Sequence, residues 1–493
     1  MARLYVLAGA VLLAFNTVST AVAQSPALPI PPRFGSQPFP AFVGTAAIAQ
    51  PISAAWIPDH PFMANNGRSN VHNDAYMSDT YTFGGPEGLD PHTQSSYLGG
   101  VCVSVAFDRA GRILTVCLSK ASTRLFLIDA DSLAPLAFME LPVAVTAGQE
   151  LPSGGYFYLD QFDRAVIPTA NREIWVVRVL DGPCGPGLDR QRVYDLSAEI
   201  PEDDSIVSAL PDFLGRLWFV TAQGLVGVID PLQGVAGTVW LQGERIANSF
   251  AVDETGGVFI ASDHALYRFD SSVTGKPQVT WREPYERGVR VKPGQFSQGT
   301  GTTPTLIGRH YVAITDNDDP FMHVVVYRRD RRSRSARLIC RLPVFGANLG
   351  ATENSLIATG NSIIVENNYG YTMPNALESG QNPTGGVSRI DIDGTGGRVV
   401  WTSAERVPSV VSKLSLATGL IYTYTVERGA DGTDGWYFTA IDFETGNTVF
   451  KQLTGTGRLF NSHYAGLYLG PDAAYVGVIG GLISVRDKED PEN

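Results

Sequence analysis

Two stretches of this chain carry residues whose types and spacing could do chemistry. In the first, His60-Pro-Phe-Met-Ala-Asn-Asn-Gly-Arg68-Ser-Asn-Val-His72-Asn73-Asp74 gathers two of the seven histidines with an arginine and an aspartate. His72 and Asp74 are a candidate base with its orienting carboxylate, or a pair of metal ligands. Their i, i+2 spacing places both on one face if the segment is extended. His463, where Ser462-His463-Tyr464 begins a late strand, joins them if the segment covers the same end of the fold. The competing reading of the stretch is a polar plug, hydrogen-bonded to loops.

The second stretch is a hairpin. Residues 355–359 read as a strand, Gly360-Asn361 as a turn and 362–365 as the return strand. That pairing sets Asn354 opposite Asn367 and Glu353 opposite Asn368, with Glu366 adjacent. In the preceding unit, 303–307 pairs with 311–315 across Gly308-Arg309, bringing Thr302 and Thr303 close to Asp316. Glu353, Asn354, Glu366, Asn367 and Asp316 are therefore a candidate oxygen ligand set for a hard cation such as Ca²⁺. A cation there could polarise a substrate oxygen. Two carboxylates facing each other across one hairpin repel unless a cation or a proton lies between them. Asp160-Gln161, Asp203-Asp204 and Asn248 are candidates for similar positions in earlier units. The competing reading is that Asp and Asn form Asx turns at strand ends.

The elements that must position these residues come from a repeat. In Ala440-Ile-Asp442-Phe-Glu-Thr445-Gly446-Asn-Thr-Val-Phe450 an apolar strand runs into an Asp, a turn closes on Thr-Gly, and an aromatic anchors the next strand. Asp393, Gly397 and Trp401 repeat the same offsets. Asp230, Gly234, Trp240 and Asp270, Gly275, Trp281 repeat them with small insertions. The pattern has a local cause: Asp accepts backbone N–H groups, Thr caps the turn and Gly takes positive φ. A fixed period of this kind marks a β-propeller. Taking Asp129, Asp181, Asp230, Asp270, Asp330, Asp393, Asp442 and Asp487 as strand-end markers gives a mean spacing of about 51 residues, enough for four short strands with loops. We expect an all-β chain forming a single propeller of eight blades. Seven is the alternative, because the interval from Asp230 to Asp270 is short.

The turn resembles the AxDxxTGxxxW repeat of the pyrroloquinoline quinone (PQQ)-type, or quinoprotein-like, propellers, with Phe450 where that family prefers Trp. The resemblance implies the architecture. Through the family's alcohol dehydrogenases it also implies an alternative function, periplasmic oxidation of an alcohol with Ca²⁺ holding the quinone. No two cysteines in this chain are adjacent, so the vicinal disulfide that stacks on the quinone in many of those enzymes cannot form, and PQQ is not the expected cofactor. The outer-membrane assembly propellers of the same superfamily imply a different alternative, a non-catalytic scaffold for envelope proteins.

The rest of the chain sets bounds. Residues 1–23 read as a signal peptide: Arg3, an apolar run over 4–15, and a small-x-small site at Ala21-Val22-Ala23. The apolar run is short for a membrane span, and a secreted or periplasmic location is expected. Residues 24–99 are rich in Pro and Gly and read as an irregular extension that covers or closes the propeller, which occupies 100–493. Net charge is -12 with no basic block, which disfavours nucleic acid. Arg328, Arg329, Arg331, Arg332, Arg334 and Arg337 read as a solvated turn.

Four cysteines suit an oxidising compartment. Cys102 and Cys117 lie opposite each other across the hairpin around Asp108-Arg-Ala-Gly111. In a strict two-residue hairpin they form a hydrogen-bonded pair, which suits a disulfide poorly; a bulge at Gly111 would change that. Whether Cys184 and Cys340 pair is not readable. Function is left between a small polar ligand bound at a channel mouth, with or without catalysis, and a protein-binding scaffold.

Overall fold

The computed structural model describes residues 26–35, 38–54, 57–143, 154–183, 185–372, 382–470 and 473–488. The expected signal peptide and Cys184 lie outside the described residues. The described strands form eight sheets in chain order, one per blade, antiparallel except where Thr80–Tyr81 adds to blade 7 in parallel. Blades 1 to 7 span 101–141, 158–195, 206–240, 251–284, 305–344, 357–403 and 413–456. Blade 8 takes three strands from 467–486, and its outermost strand is His92–Tyr97, paired antiparallel with Gly481–Arg486. The first and last parts of the fold thus share one sheet, which closes the ring. This is an eight-bladed β-propeller, as the marker spacing predicts. No helix among the described residues is long and apolar enough to cross a membrane.

Each of the eight marker aspartates stands at or just beyond the end of the third strand of its blade, rather than on the outermost strand. The turn that follows carries the chain to the fourth strand. Asp442 Oδ1 accepts from Thr445 N at 2.8 Å and Thr445 Oγ1 at 2.6 Å. Asp393 Oδ1 does the same for Thr395 N and Oγ1 at 3.0 and 2.8 Å. The motif's glycine and aromatic meet between blades. The Trp401 indole of blade 6 donates to Phe443 O of blade 7 at 3.0 Å. A Cβ placed on Gly446 (φ 73) would fall 2.5 Å from the same ring.

A second turn repeat went unread in the sequence. Asp108, Asp160 and Asp212 each follow an inner strand, and Oδ1 accepts the N–H groups two and four residues on. Oδ2 accepts from Nε of Arg112, Arg164 and Arg216 at 2.7 to 2.8 Å. Asp160 therefore belongs to a hairpin turn at the far end of its inner strand, not to the end where the inner strands begin.

Cys102 and Cys117 form a disulfide. The register shifts between Cys102 and Ser104 rather than at Gly111. This leaves the two Cα atoms 3.9 Å apart, closer than the roughly 5.5 Å of a hydrogen-bonded pair.

Residues before the ring thread its centre. After crossing blade 7 through Arg33 N to Thr456 O, Leu453 N to Ala41 O and Ile52 N to Leu416 O, the chain turns inward. Residues 60–81 fill the channel as a plug whose carbonyls accept from inner strands around the ring. Arg68 O takes Phe107 N, Ser69 O takes Leu159 N, Ala75 O takes Val252 N, Tyr76 O takes Leu306 N, Ser78 O takes Ala358 N and Asp79 O takes Leu414 N, at 2.7 to 3.2 Å. Inner-strand edges facing a channel expose N–H groups, and the plug satisfies them away from water. Met63, Ala75, Tyr76 and Met77 pack into the core of blades 2 to 5. Arg329 is fully buried rather than solvated. Its guanidinium lies 4.9 Å from the centre of the Tyr76 ring and pairs with Glu254 at 3.0 Å.

Candidate functional site

The plug is a run of tight turns. Asn73, Met77 and Asp79 take positive φ (78°, 57° and 55°), so the i, i+2 rule for an extended segment does not apply. His72 and Asp74 consequently face opposite ends of the channel. His72 lines a cavity at the end where inner strands begin, and Asp74 lines a second cavity at the end where inner strands turn back. Asp74 is not the partner of His72. Its carboxylate accepts from Tyr76 N at 2.9 Å, Ser78 N at 3.2 Å and the Ser78 hydroxyl, holding the plug's own turn. Burial pushes its pKa up to about 7.

The cavity above His72 has a volume of about 310 Å³. Every blade or the segment leading into it contributes to the wall, from Ser104 in blade 1 round to Tyr464 just ahead of blade 8. The wall is largely apolar, with Val71, Val103, Ile206 and Phe296 prominent, and a few polar groups converge on it: His72, Tyr156, Asn248, Glu353 and Ser355. Arg245 stands exposed at its rim.

A linear chain of polar contacts runs down from this cavity. Ser355 Oγ is 3.3 Å from His72 Nε2. His72 Nδ1 is 3.1 Å from Asp79 Oδ2. Asp79 in turn pairs with the Lys413 ammonium, which also donates to Val71 O at 2.5 Å and lies 5.6 Å from the centre of the Tyr468 ring. Asp79 and Lys413 are wholly buried, so each is the other's neutralising charge. Burial pulls the Lys413 pKa down, against the pull of Asp79. The Lys413 ammonium donates to Asp79, whose carboxylate acts as an acceptor toward both neighbours. Nδ1 therefore carries the imidazole hydrogen, and Nε2 is left to accept from the Ser355 hydroxyl. The His72 ring stands beside Tyr156, centroids 6.3 Å apart.

Sequence reasoning found His72 but missed Asp79, Ser355 and Lys413. Lys413 carries a readable signal, as a lysine inside Val410-Val411-Ser412-Lys413-Leu414, an apolar run that leads into the inner strand Lys413–Ser415. Asp79 and Ser355 look like ordinary turn residues.

The expected cation ligands do not converge. The 357–364 register is the expected one, Ile357 opposite Ile364, yet the side chains diverge. Glu353 lines the mouth cavity, and its Oε1 accepts from Phe296 N at 2.9 Å. Asn354 Nδ2 donates to Glu366 Oε2 at 2.7 Å and to Val410 O at 2.5 Å. Burial raises Glu366 to a pKa of about 8, so a proton already neutralises it near pH 7. Asn367 binds Ala351 N, Leu349 O and Gly385 O, stapling loops. Asp316 belongs to another set: His323 Nδ1 at 2.9 Å and Arg341 at 2.7 Å. Asp316, Asp318 and His323 bring ligand atoms within 4.8 Å of one another. The Arg341 guanidinium, bonded to both carboxylates, already supplies positive charge there. His463 stands beside the mouth cavity without joining His72. Its Nδ1 is 3.1 Å from Tyr371 Oη, and burial lowers its pKa to about 4. Asn248 does line the mouth, and Asp204 shapes it by accepting from Ser205 N and Gln223 N.

No family model matches the chain. An uncharacterized protein of Archaeoglobus fulgidus is 27% identical over 331 residues, covering 60% of this chain and 63% of that protein's length. Among solved structures, the chain is similar to BamB from Moraxella catarrhalis, with a TM-score of 0.46 and 13% identity over 78% of this chain and 96% of that one. It is also similar to a functionally unknown protein from Desulfotomaculum acetoxidans, with a TM-score of 0.40 and 10% identity over 70% and 98% of the two chains. The eight sheets of the chain itself place it among the β-propellers.

Proposed function

We propose that this protein is an exported propeller that binds a small polar molecule in the mouth cavity, with His72, Ser355 and Glu353 as the groups that meet it. The observation that carries this reading is convergence. The inner strands of blades 1 and 3, the segments leading into the other six inner strands, and the plug enclose one cavity of about 310 Å³, at the small end of the range for small-molecule sites. Its apolar wall with a few polar groups is the composition such sites share. The plug gives it a floor, so a ligand would enter from one side only. The separate partners of Glu366, Asn367 and Asp316 favour direct recognition over recognition through a bridging cation. The Cys102–Cys117 disulfide supports export, since such bonds persist in oxidising compartments.

Ligand-observed NMR tests the reading, with a panel of monosaccharides, amino acids, short-chain alcohols and short-chain amides. At least one class binds the wild type and fails to bind Ala247→Trp, whose ring would fill the cavity from its wall. Binding that Ala247→Trp leaves intact, or no binding by any class, contradicts the reading and leaves the propeller as a scaffold for an envelope protein.

A further inference from the structure

We propose that Ser355 is an acyl-accepting nucleophile, with His72 as its base and Asp79 as the residue that positions His72, and that the substrate class is a small carboxylic ester. The inference rests on the mouth cavity being a ligand site and goes beyond it to a reaction.

The geometry has the roles that nucleophilic acyl transfer needs. The hydroxyl faces Nε2 at 3.3 Å, at the loose end of hydrogen-bond reach that unliganded sites show. The opposite ring nitrogen is fixed by a buried carboxylate at 3.1 Å. The three residues come from two rigid sources. Ser355 precedes the inner strand Ile357–Thr359 of blade 6. His72 and Asp79 face each other across the plug's own turn, closed by Asp79 N to His72 O at 3.1 Å. Both Ser355 and His72 line the cavity, so a carbonyl carbon held there can reach the hydroxyl. Lys413 does not belong to the reaction. Its ammonium pairs with the buried Asp79 carboxylate and holds it in place beneath His72.

The step balances with water as co-reactant. Ser355 Oγ bonds to the ester carbonyl carbon as its proton passes to His72 Nε2. The carbon–alkoxy bond then breaks, and the same proton leaves on the departing alcohol. Water attacks the acyl-serine, giving one proton to Nε2. The carbon–Oγ bond breaks, Oγ takes that proton back, and a carboxylic acid is released. Asn248 Nδ2, at a long 3.5 Å from Thr300 O, is the neutral donor on the wall suited to the developing oxyanion, and the Tyr156 hydroxyl orients that amide by donating to Asn248 Oδ1 at 3.3 Å. The apolar wall and the 310 Å³ volume limit the substrate to a small ester.

Full-length protein treated with an alkyl fluorophosphonate and mapped by peptide mass spectrometry tests this. The expected result is one phosphonyl adduct, on Ser355, absent in Ser355→Ala and in His72→Gln. Hydrolysis of p-nitrophenyl acetate should fall at least ~100-fold in Ser355→Ala. An adduct elsewhere, or an unlabelled Ser355 in wild-type protein that binds the panel, overturns the nucleophile and leaves the binding reading standing. Loss of both label and panel binding in the wild type overturns both. The wild-type label map does not depend on any variant folding.

Discussion

Ser355 Oγ lies 3.3 Å from His72 Nε2 although 283 residues separate the two in the chain. One precedes an inner strand of blade 6, and the other belongs to a segment that precedes the first blade. The contact exists because the plug's carbonyls are hydrogen-bonded to inner strands on several sides of the ring, which fixes the height and rotation of His72 in the channel. The site is therefore a joint product of ring and plug, and its stability should follow theirs.

Lys413→Met removes the ammonium that faces the buried Asp79 carboxylate and leaves it the His72 Nδ1–H alone of the two partners described above. Stability should fall by about 3–5 kcal/mol in urea denaturation. Adding Asp79→Asn removes the stranded charge, so the double variant should be more stable than Lys413→Met alone. If the double variant is no better, the pair is not the mutual neutraliser described.

Glu366 should make stability depend on pH. Its native pKa of about 8 lies above the ordinary 4.5, so the native state holds a proton that the unfolded state releases. The stabilisation is fully present below pH 4.5 and is lost as pH rises through 8. Wild type should therefore lose stability relative to Glu366→Gln between pH 5 and pH 9, by on the order of a few kcal/mol. Asp74, also raised, gives both proteins a slope of the same sign, and the comparison removes it. Parallel melting curves across that range contradict the assignment.

Gly446→Ala should destabilise more than Gly256→Ala. Both glycines have positive φ, but a Cβ at 446 meets the Trp401 ring at 2.5 Å, whereas nothing lies within 4 Å at 256. The expected losses are about 1 kcal/mol at 256 and about 1–3 kcal/mol more at 446. Equal losses would mean that the blade-to-blade contact contributes nothing.

Removing the disulfide by Cys102→Ala with Cys117→Ala should cost about 3 kcal/mol, the scale for a loop of this length. A reducing agent should lower the melting temperature of the wild type and leave the double variant unchanged.

The period made the fold legible. Asp-Thr-Gly turns recur because the third-to-fourth-strand connection needs an acceptor, a cap and positive φ in every blade, and those needs are written in neighbouring residues. The Asp-x-x-x-Arg turns of Asp108, Asp160 and Asp212 are an equally regular ruler, and they place Asp160 at the far end of its inner strand rather than at the mouth. The site was only half legible. His72 stood out by rarity, but its partner depends on turns that set Asp79, not Asp74, beneath it. Positive φ at Asn73 and Met77 is weakly encoded, since neither is glycine. Ser355 and Lys413 reach His72 and Asp79 only through ring closure, which no local pattern records. The oxygen-rich hairpin was read in the right register, yet register does not say that Glu366 turns to Asn354 while Glu353 turns to the mouth.

Crystals of the full chain soaked with the panel compounds test the central claim most directly. Bound compounds should gather in the mouth cavity, in contact with His72, Ser355 or Glu353. Density confined to the outer faces of the blades, with the cavity closed by its own side chains, would contradict it.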